Sequence, residues 1–180
     1  MASRGGPRAA GSDGSDFSHR EQVASRYQAS TALKAKLKVC AYVNLFVCLP
    51  VALFIINSHL GLVSLPDETG PHLSHYLLLA TCLSSVLYLA SLPRNKKLMV
   101  QLANVVVVGC GLGGAAWGLY SYFWILKPLL LKGEFRMILQ SPMVLPLAWF
   151  IVFMIKILLY SQTLYYARQL MGTWDTKKTK

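Results

Sequence analysis

Long apolar runs alternate with short polar connections along this chain, with apolar stretches at 39–56, 74–92, 98–125 and 143–160. Three of them approach the ~20 residues a helix needs to cross a ~30 Å hydrocarbon core, and the third is long enough to tilt. Inside a bilayer every backbone N–H and C=O must be paired within its own segment or in a closed sheet, so runs of this length predict helices. The pattern predicts an all-α, polytopic membrane protein with four transmembrane helices. A soluble fold would leave too much apolar surface uncovered.

The polar segments divide the rest. Residues 1–17 are rich in Gly, Ser, Ala and Arg and bury too little to offset ordering entropy, which predicts a disordered arm. Ser18 with Glu21 three residues on has capping-box spacing and marks a helix start. From there to residue 38 the chain favours helix, with Val23 and Tyr27, then Leu33 and Leu37, four apart. This basic segment is expected either to lie on an anionic leaflet or to continue the first span into solvent. The domain organisation is thus an arm at 1–17, a basic helix at 18–38, the transmembrane domain at 39–161 and a tail at 162–180. Pro50 in the first span removes one helical hydrogen bond and predicts a bend.

The composition, 54% hydrophobic and 14% charged, agrees with a small helical membrane domain. A net charge of +11 would suggest nucleic acid in a soluble protein, but its placement argues for membrane topology and against a nucleic-acid partner. Arg4, Arg8, Arg20, Arg26, Lys34, Lys36 and Lys38 precede the first span, Arg94, Lys96 and Lys97 fill the second connection, and Arg168, Lys177, Lys178 and Lys180 follow the fourth. The first connection has no Lys or Arg, and the third has Lys127, Lys132 and Arg136. Cytoplasmic loops collect Lys and Arg, so both termini and the middle connection are expected in the cytosol. Residues 1–38 hold no apolar core of signal-peptide length, so the first span is expected to be its own insertion signal. No Asn-x-Ser/Thr site predicts no N-glycan, and neither a myristoylation glycine nor a prenylation cysteine is present. The lipid bilayer is the first expected partner.

Cys40, Cys48, Cys82 and Cys110 fall in or beside the spans, where thiols pack as small apolar groups. Cys40, next to a run of lysines, is also where palmitoylation can occur; packing is the favoured role. In the third span Gly109 with Gly113 and Gly114 with Gly118 form Gly-x-x-x-Gly pairs that predict close helix approach, within the chain in preference to between copies. The Gly-x-Gly-x-x-Gly spacing of Gly109, Gly111 and Gly114 lacks the strand-turn-helix setting of a dinucleotide loop, and no cofactor is expected.

Candidate chemistry is sparse. His59, His72 and His75 lie near Asp67 and Glu68, but in a turn-rich segment that offers no second spaced ligand pair, and no metal is expected. Lys156 is the Lys or Arg deepest within a span, has no acidic partner in sight, and is expected to snorkel toward the interface near Tyr160. Asn44 and Asn104 are expected to make interhelical hydrogen bonds, and Trp117, Tyr120, Tyr122, Trp124, Tyr160, Tyr165 and Tyr166 to act as interfacial anchors. The spans contain no Asp or Glu, so neither a catalytic constellation nor a polar transport path is legible, and the protein is expected not to be an enzyme.

The opening run from Met1 through Glu21, then Val23-Ala24, Tyr27-Gln28, Leu33-Lys34 and Tyr42-Val43, resembles the Jagunal homologue family. Pro93-Arg94-Asn95, Leu164-Tyr165-Tyr166, Trp174 and Lys177-Lys178-Thr179-Lys180 are similar to that family too. The resemblance implies a four-span protein of the endoplasmic reticulum (ER) membrane. It also implies a role in organising that membrane and in vesicle-mediated transport in the early secretory pathway, with COPI coat subunits and secretory cargo as partners. Lys177 and Lys178 look like the dilysine pair that coatomer reads. A small membrane transporter or channel is the alternative function.

Overall fold

The structure is a computed structural model that describes residues 15–61, 70–132 and 144–175. Among the described residues there are helices and no strands: α1 Ser15–Leu60, α2 Leu73–Ala80, α3 Cys82–Arg94, α4 Lys97–Val106, a π-helical segment Val107–Leu112, α5 Gly113–Lys132 and α6 Val144–Asp175. They form four membrane-capable spans at Tyr27–Leu60, Leu73–Arg94, Lys97–Pro128 and Val144–Trp174. Residues 1–14 of the arm expected at 1–17, and the tail residues Lys177 and Lys178, lie outside the described residues, while 15–17 already belong to α1.

The spans run up, down, up and down. Asn44 meets Ser85 while Cys48 meets Leu78, and Gly111 lies against Tyr160 while Gly118 lies against Phe153, so these partner spans are antiparallel, and the N-terminal part of α1 shares one side of the bundle with the C-terminal part of α6. Asn95 turns the chain between α3 and α4 in the left-handed region, at φ 51°, which Asn tolerates better than most residues. Val51, Leu78, Val107, Ala115 and Phe153 form the centre of the core, while Phe46, Leu53, Val105, Ile151 and Leu158 face outward, as lipid-facing side chains do.

Two helices overshoot the bilayer at the same end. At about 1.5 Å per residue, α1 is roughly 69 Å long and α6 roughly 48 Å, against a core of ~30 Å. α1 passes through 34–41 unbroken because Lys, Ala, Leu, Val and Cys there contain no Gly or Pro to turn the helix. The basic segment therefore continues the axis of the first span and does not turn to lie flat on a leaflet. Leu33 and Leu37 share the apolar core with Ala167, Leu170, Met171 and Trp174, and Lys36 Nζ sits 5.5 Å from the Tyr166 ring centre. The two helices make a short stalk held by the same packing that holds the spans. Ser18 lies inside the first turn of this helix, since the helix is already running at Ser15.

Candidate functional site

Cooperating polar side chains meet at the middle of the bundle, and local sequence puts them there. Asn44 and Cys48 are four apart on α1 and share its inner face, as Lys156 and Tyr160 do on α6. Between α2 and α3, Thr81 interrupts the second span. Its N–H and its hydroxyl both donate to the Leu78 carbonyl, at 3.1 and 2.5 Å, a local alternative to the regular ladder that threonine offers. The Thr81 carbonyl collects the N–H groups of Ser84 and Ser85 and the Ser84 hydroxyl, and is left facing α1.

Lys156, fully buried, donates to Asn44 Oδ1 at 2.6 Å, to Cys48 Sγ at 3.1 Å and to the Asn44 carbonyl at 3.4 Å. An ammonium has three donors, and all three have an acceptor here. Asn44 turns its amide oxygen to the lysine and donates its NH2 to Ser85 Oγ at 2.8 Å and to the Thr81 carbonyl at 3.2 Å. Because the Thr81 hydroxyl donates to Leu78, it accepts from Tyr160 at 2.9 Å. The gap bordered by Cys40, Asn44, Ser85, Tyr88, Tyr160 and Thr163 is too narrow for a water molecule. The network is a set of satisfied interhelical ties, closed to solvent.

Lys156 thus does not snorkel. Its stem points into the bundle, where Asn44, 112 residues away in sequence, accepts from its amine through both the side-chain and the backbone oxygen. Tyr122 and Tyr160, expected as interfacial anchors, are also inside: Tyr160 serves Thr81, and Tyr122 pairs with His75 Nε2 at 3.3 Å. Trp117, Tyr120, Trp124 and Tyr165 remain exposed on the bundle surface. Asn104 accepts from Tyr88 at 2.6 Å and ties the second span to the third. Tyr88→Phe, which keeps the ring, is expected to lower bundle stability by about 0.5–1.5 kcal/mol in a reversible unfolding titration; no change would show that this tie is idle.

A second cluster lies toward the opposite end from the stalk. His75 is fully buried among Trp149, Phe54, Phe153 and Tyr122, with ring centres 4.6 to 6.0 Å away. Its Nδ1 accepts the His72 N–H at 3.1 Å, a capping contact at the start of α2. His59 pairs instead with the Tyr76 hydroxyl at 2.9 Å. Asp67 and Glu68 lie outside the described residues, and among the described residues no three His, Cys, Asp or Glu side chains converge on a metal position. Cys40 is buried and faces the closed gap, as a packing role requires.

The four glycines singled out in the third span divide into two groups. A Cβ at Gly114 would come within 2.7 Å of Leu77 Cβ, and one at Gly118 would overlap the Phe153 ring. Gly109 and Gly113 are on the exposed face, with nothing within 4 Å of a Cβ at 109 and only the Val108 carbonyl at 3.9 Å from one at 113. The glycine that the Gly-x-x-x-Gly pairs leave out is Gly111, in the π-helical segment, where a Cβ would stand 3.1 Å from the Tyr160 ring. Its backbone forms the wall that holds Tyr160 against Thr81.

Comparison with known proteins places this bundle. A family described as "Jagunal, ER re-organisation during oogenesis" matches residues 1–178. The chain belongs to the Jagunal family. It is 33% identical over 177 residues to protein jagunal homolog 1 of Mus musculus, covering 98% of this chain and 96% of that one. Protein jagunal of Drosophila melanogaster is 36% identical over 115 residues, 60% of this chain and 58% of its own, and the jagunal homolog of Caenorhabditis elegans is 29% identical over 196 residues and 99% of both. This Jagunal family member carries the family's name for ER reorganisation on a frame of four membrane-capable helices.

Proposed function

We propose that this protein resides in the ER membrane as a multi-pass, non-enzymatic organiser of that membrane and supports vesicle-mediated transport in the early secretory pathway. The observation that carries the reading is the Jagunal match over residues 1–178, whose description is ER reorganisation. The closed interior supports an organiser over the transporter or channel alternative, because conduction needs a hydrated or exchangeable polar path and the polar groups around Lys156 are buried and bonded to one another. The basic residues Lys34, Lys36, Lys38, Arg94, Lys96, Lys97 and Arg168 lie at the stalk end, and the positive-inside bias supports a cytosolic orientation for that end. On this reading Lys177 and Lys178, which follow α6 in the sequence, are the pair that the COPI coat recognises.

The coat link is tested by comparing intact protein with Lys177→Ala, Lys178→Ala in cells. The double variant is expected to leave the ER and to lose coatomer in a pull-down, with its unfolding transition in micelles unchanged as the check that the bundle is intact. Unchanged location and coatomer recovery would mean that the spans or the arm set residence.

A further inference from the structure

Cys48 Sγ and Lys156 Nζ face each other at 3.1 Å across the first and fourth spans. Both are at least 98% buried, and the amine is pinned by Asn44 Oδ1 at 2.6 Å, so the contact is fixed as well as close. An amine beside a thiol and an ammonium beside a thiolate carry the same total charge of zero, and one proton moving along the contact interconverts them; a buried site tolerates a neutral pair far better than an isolated ion. Each form keeps one of the two partners nucleophilic. Dioxygen, small and apolar, dissolves in the hydrocarbon that surrounds the bundle.

We propose that Cys48 and Lys156 are a redox-controlled modification site at which one oxygen atom becomes bonded to both Sγ and Nζ, covalently stapling the first span to the fourth. Dioxygen first adds to the thiol: sulfur supplies two electrons, an S–O bond forms, and the thiol proton moves to the terminal oxygen to give S–O–O–H. The Nζ lone pair then attacks the sulfur-bound oxygen and the O–O bond breaks. The departing oxygen takes a proton from the nitrogen and leaves as water. Thiol, amine and dioxygen thus give the S–O–NH link and one water, with sulfur and nitrogen each losing two electrons and dioxygen gaining four. Two equivalents of a dithiol return the thiol and the amine and release the bridging oxygen as water.

The competing fates of an oxidised Cys48 are a disulfide with Cys82, the neighbouring thiol on α3, and progress to sulfinic acid. The contact favours the lysine, because its amine stands 3.1 Å from Sγ and is held there by Asn44. The link would fix α1 against α6, the same two helices that leave the bilayer as the stalk, so oxidation within the membrane would stiffen the part of the protein that projects from it.

The test uses the full chain in lipid nanodiscs, one sample equilibrated with air and one kept anaerobic, each digested without reductant and read by mass spectrometry. In air, the peptides carrying Cys48 and Lys156 are expected as one linked species, heavier by one oxygen and lighter by two hydrogens than their sum. The species should vanish with dithiothreitol, be absent from the anaerobic sample, and persist in Cys82→Ser. Recovery of Cys48 after air exposure as free thiol, as a disulfide to Cys82 or as sulfinic acid with Lys156 unlinked would overturn the proposal. Because the comparison of air with the anaerobic sample is made on the unaltered chain, a folding defect in Cys82→Ser cannot imitate its result.

Discussion

Alanine at Gly114 or Gly118 is expected to destabilise the bundle by about 1–3 kcal/mol each, while alanine at Gly109 or Gly113 lowers stability not at all. At 114 the obstacle is Leu77 Cβ, which moves only with the backbone of α2. At 118 it is the Phe153 ring, fully buried between His75 and Tyr122 and unable to swing clear. Either methyl group must push the third span off a neighbour and loosen contacts well beyond itself. At 109 and 113 the new methyl meets lipid, and replacing glycine in a helix gains up to about 1 kcal/mol of propensity. Reversible unfolding of the four single variants in mixed micelles separates the pairs; an equal loss at all four would show that the third span packs on a different face.

Lys156→Ala is expected to cost more, about 2–5 kcal/mol, because it leaves both a cavity and unpaired acceptors on Asn44 and Cys48. Lys156→Met fills most of the volume without donating, so its loss should fall to about 1–2 kcal/mol. Adding Asn44→Leu to Lys156→Met should then cost less than the two single changes together, since the second change removes an acceptor already orphaned by the first. Unfolding of the three variants supplies the cycle. A neutral or stabilising Lys156→Met would mean that the lysine head lies at the interface after all, with no tie to the first span.

Much of the fold could be read from apolar run length. A bilayer leaves the backbone no partner but itself, so the four spans follow from four runs, and Asn44 and Asn104, polar groups in apolar surroundings, announce that they need partners. Helix register could not be read in the same way. Lys156 finds its acceptors on α1 across a separation of 112 residues, and nothing local to either residue specifies that match. The same gap misplaced Tyr122 and Tyr160, since an aromatic near a span end satisfies its hydroxyl equally well at an interface or on a buried threonine or histidine. The glycines were more legible than the spacing rule alone allows. Gly109 and Gly114 are five apart, which is about 140° round a helix, so the two Gly-x-x-x-Gly ridges cannot face one neighbour. Gly111, Gly114 and Gly118, three and four apart, do share a face, and that face is the buried one. The length of α1 was open because a basic, helix-forming segment before a span can bend onto the leaflet or run straight. Leu37 decides it by packing in the same apolar core as Leu170 on the extended α6.

The central claim is that this Jagunal family member organises the ER membrane, and ER ultrastructure in cells tests it most directly. Cells lacking the chain are compared by electron microscopy with the same cells re-expressing it at native level. The expected result is a disturbed ER network that the intact chain restores, with the protein found in the ER membrane. An ER of unchanged architecture on loss of the chain, with secretory traffic unaltered, would contradict the account.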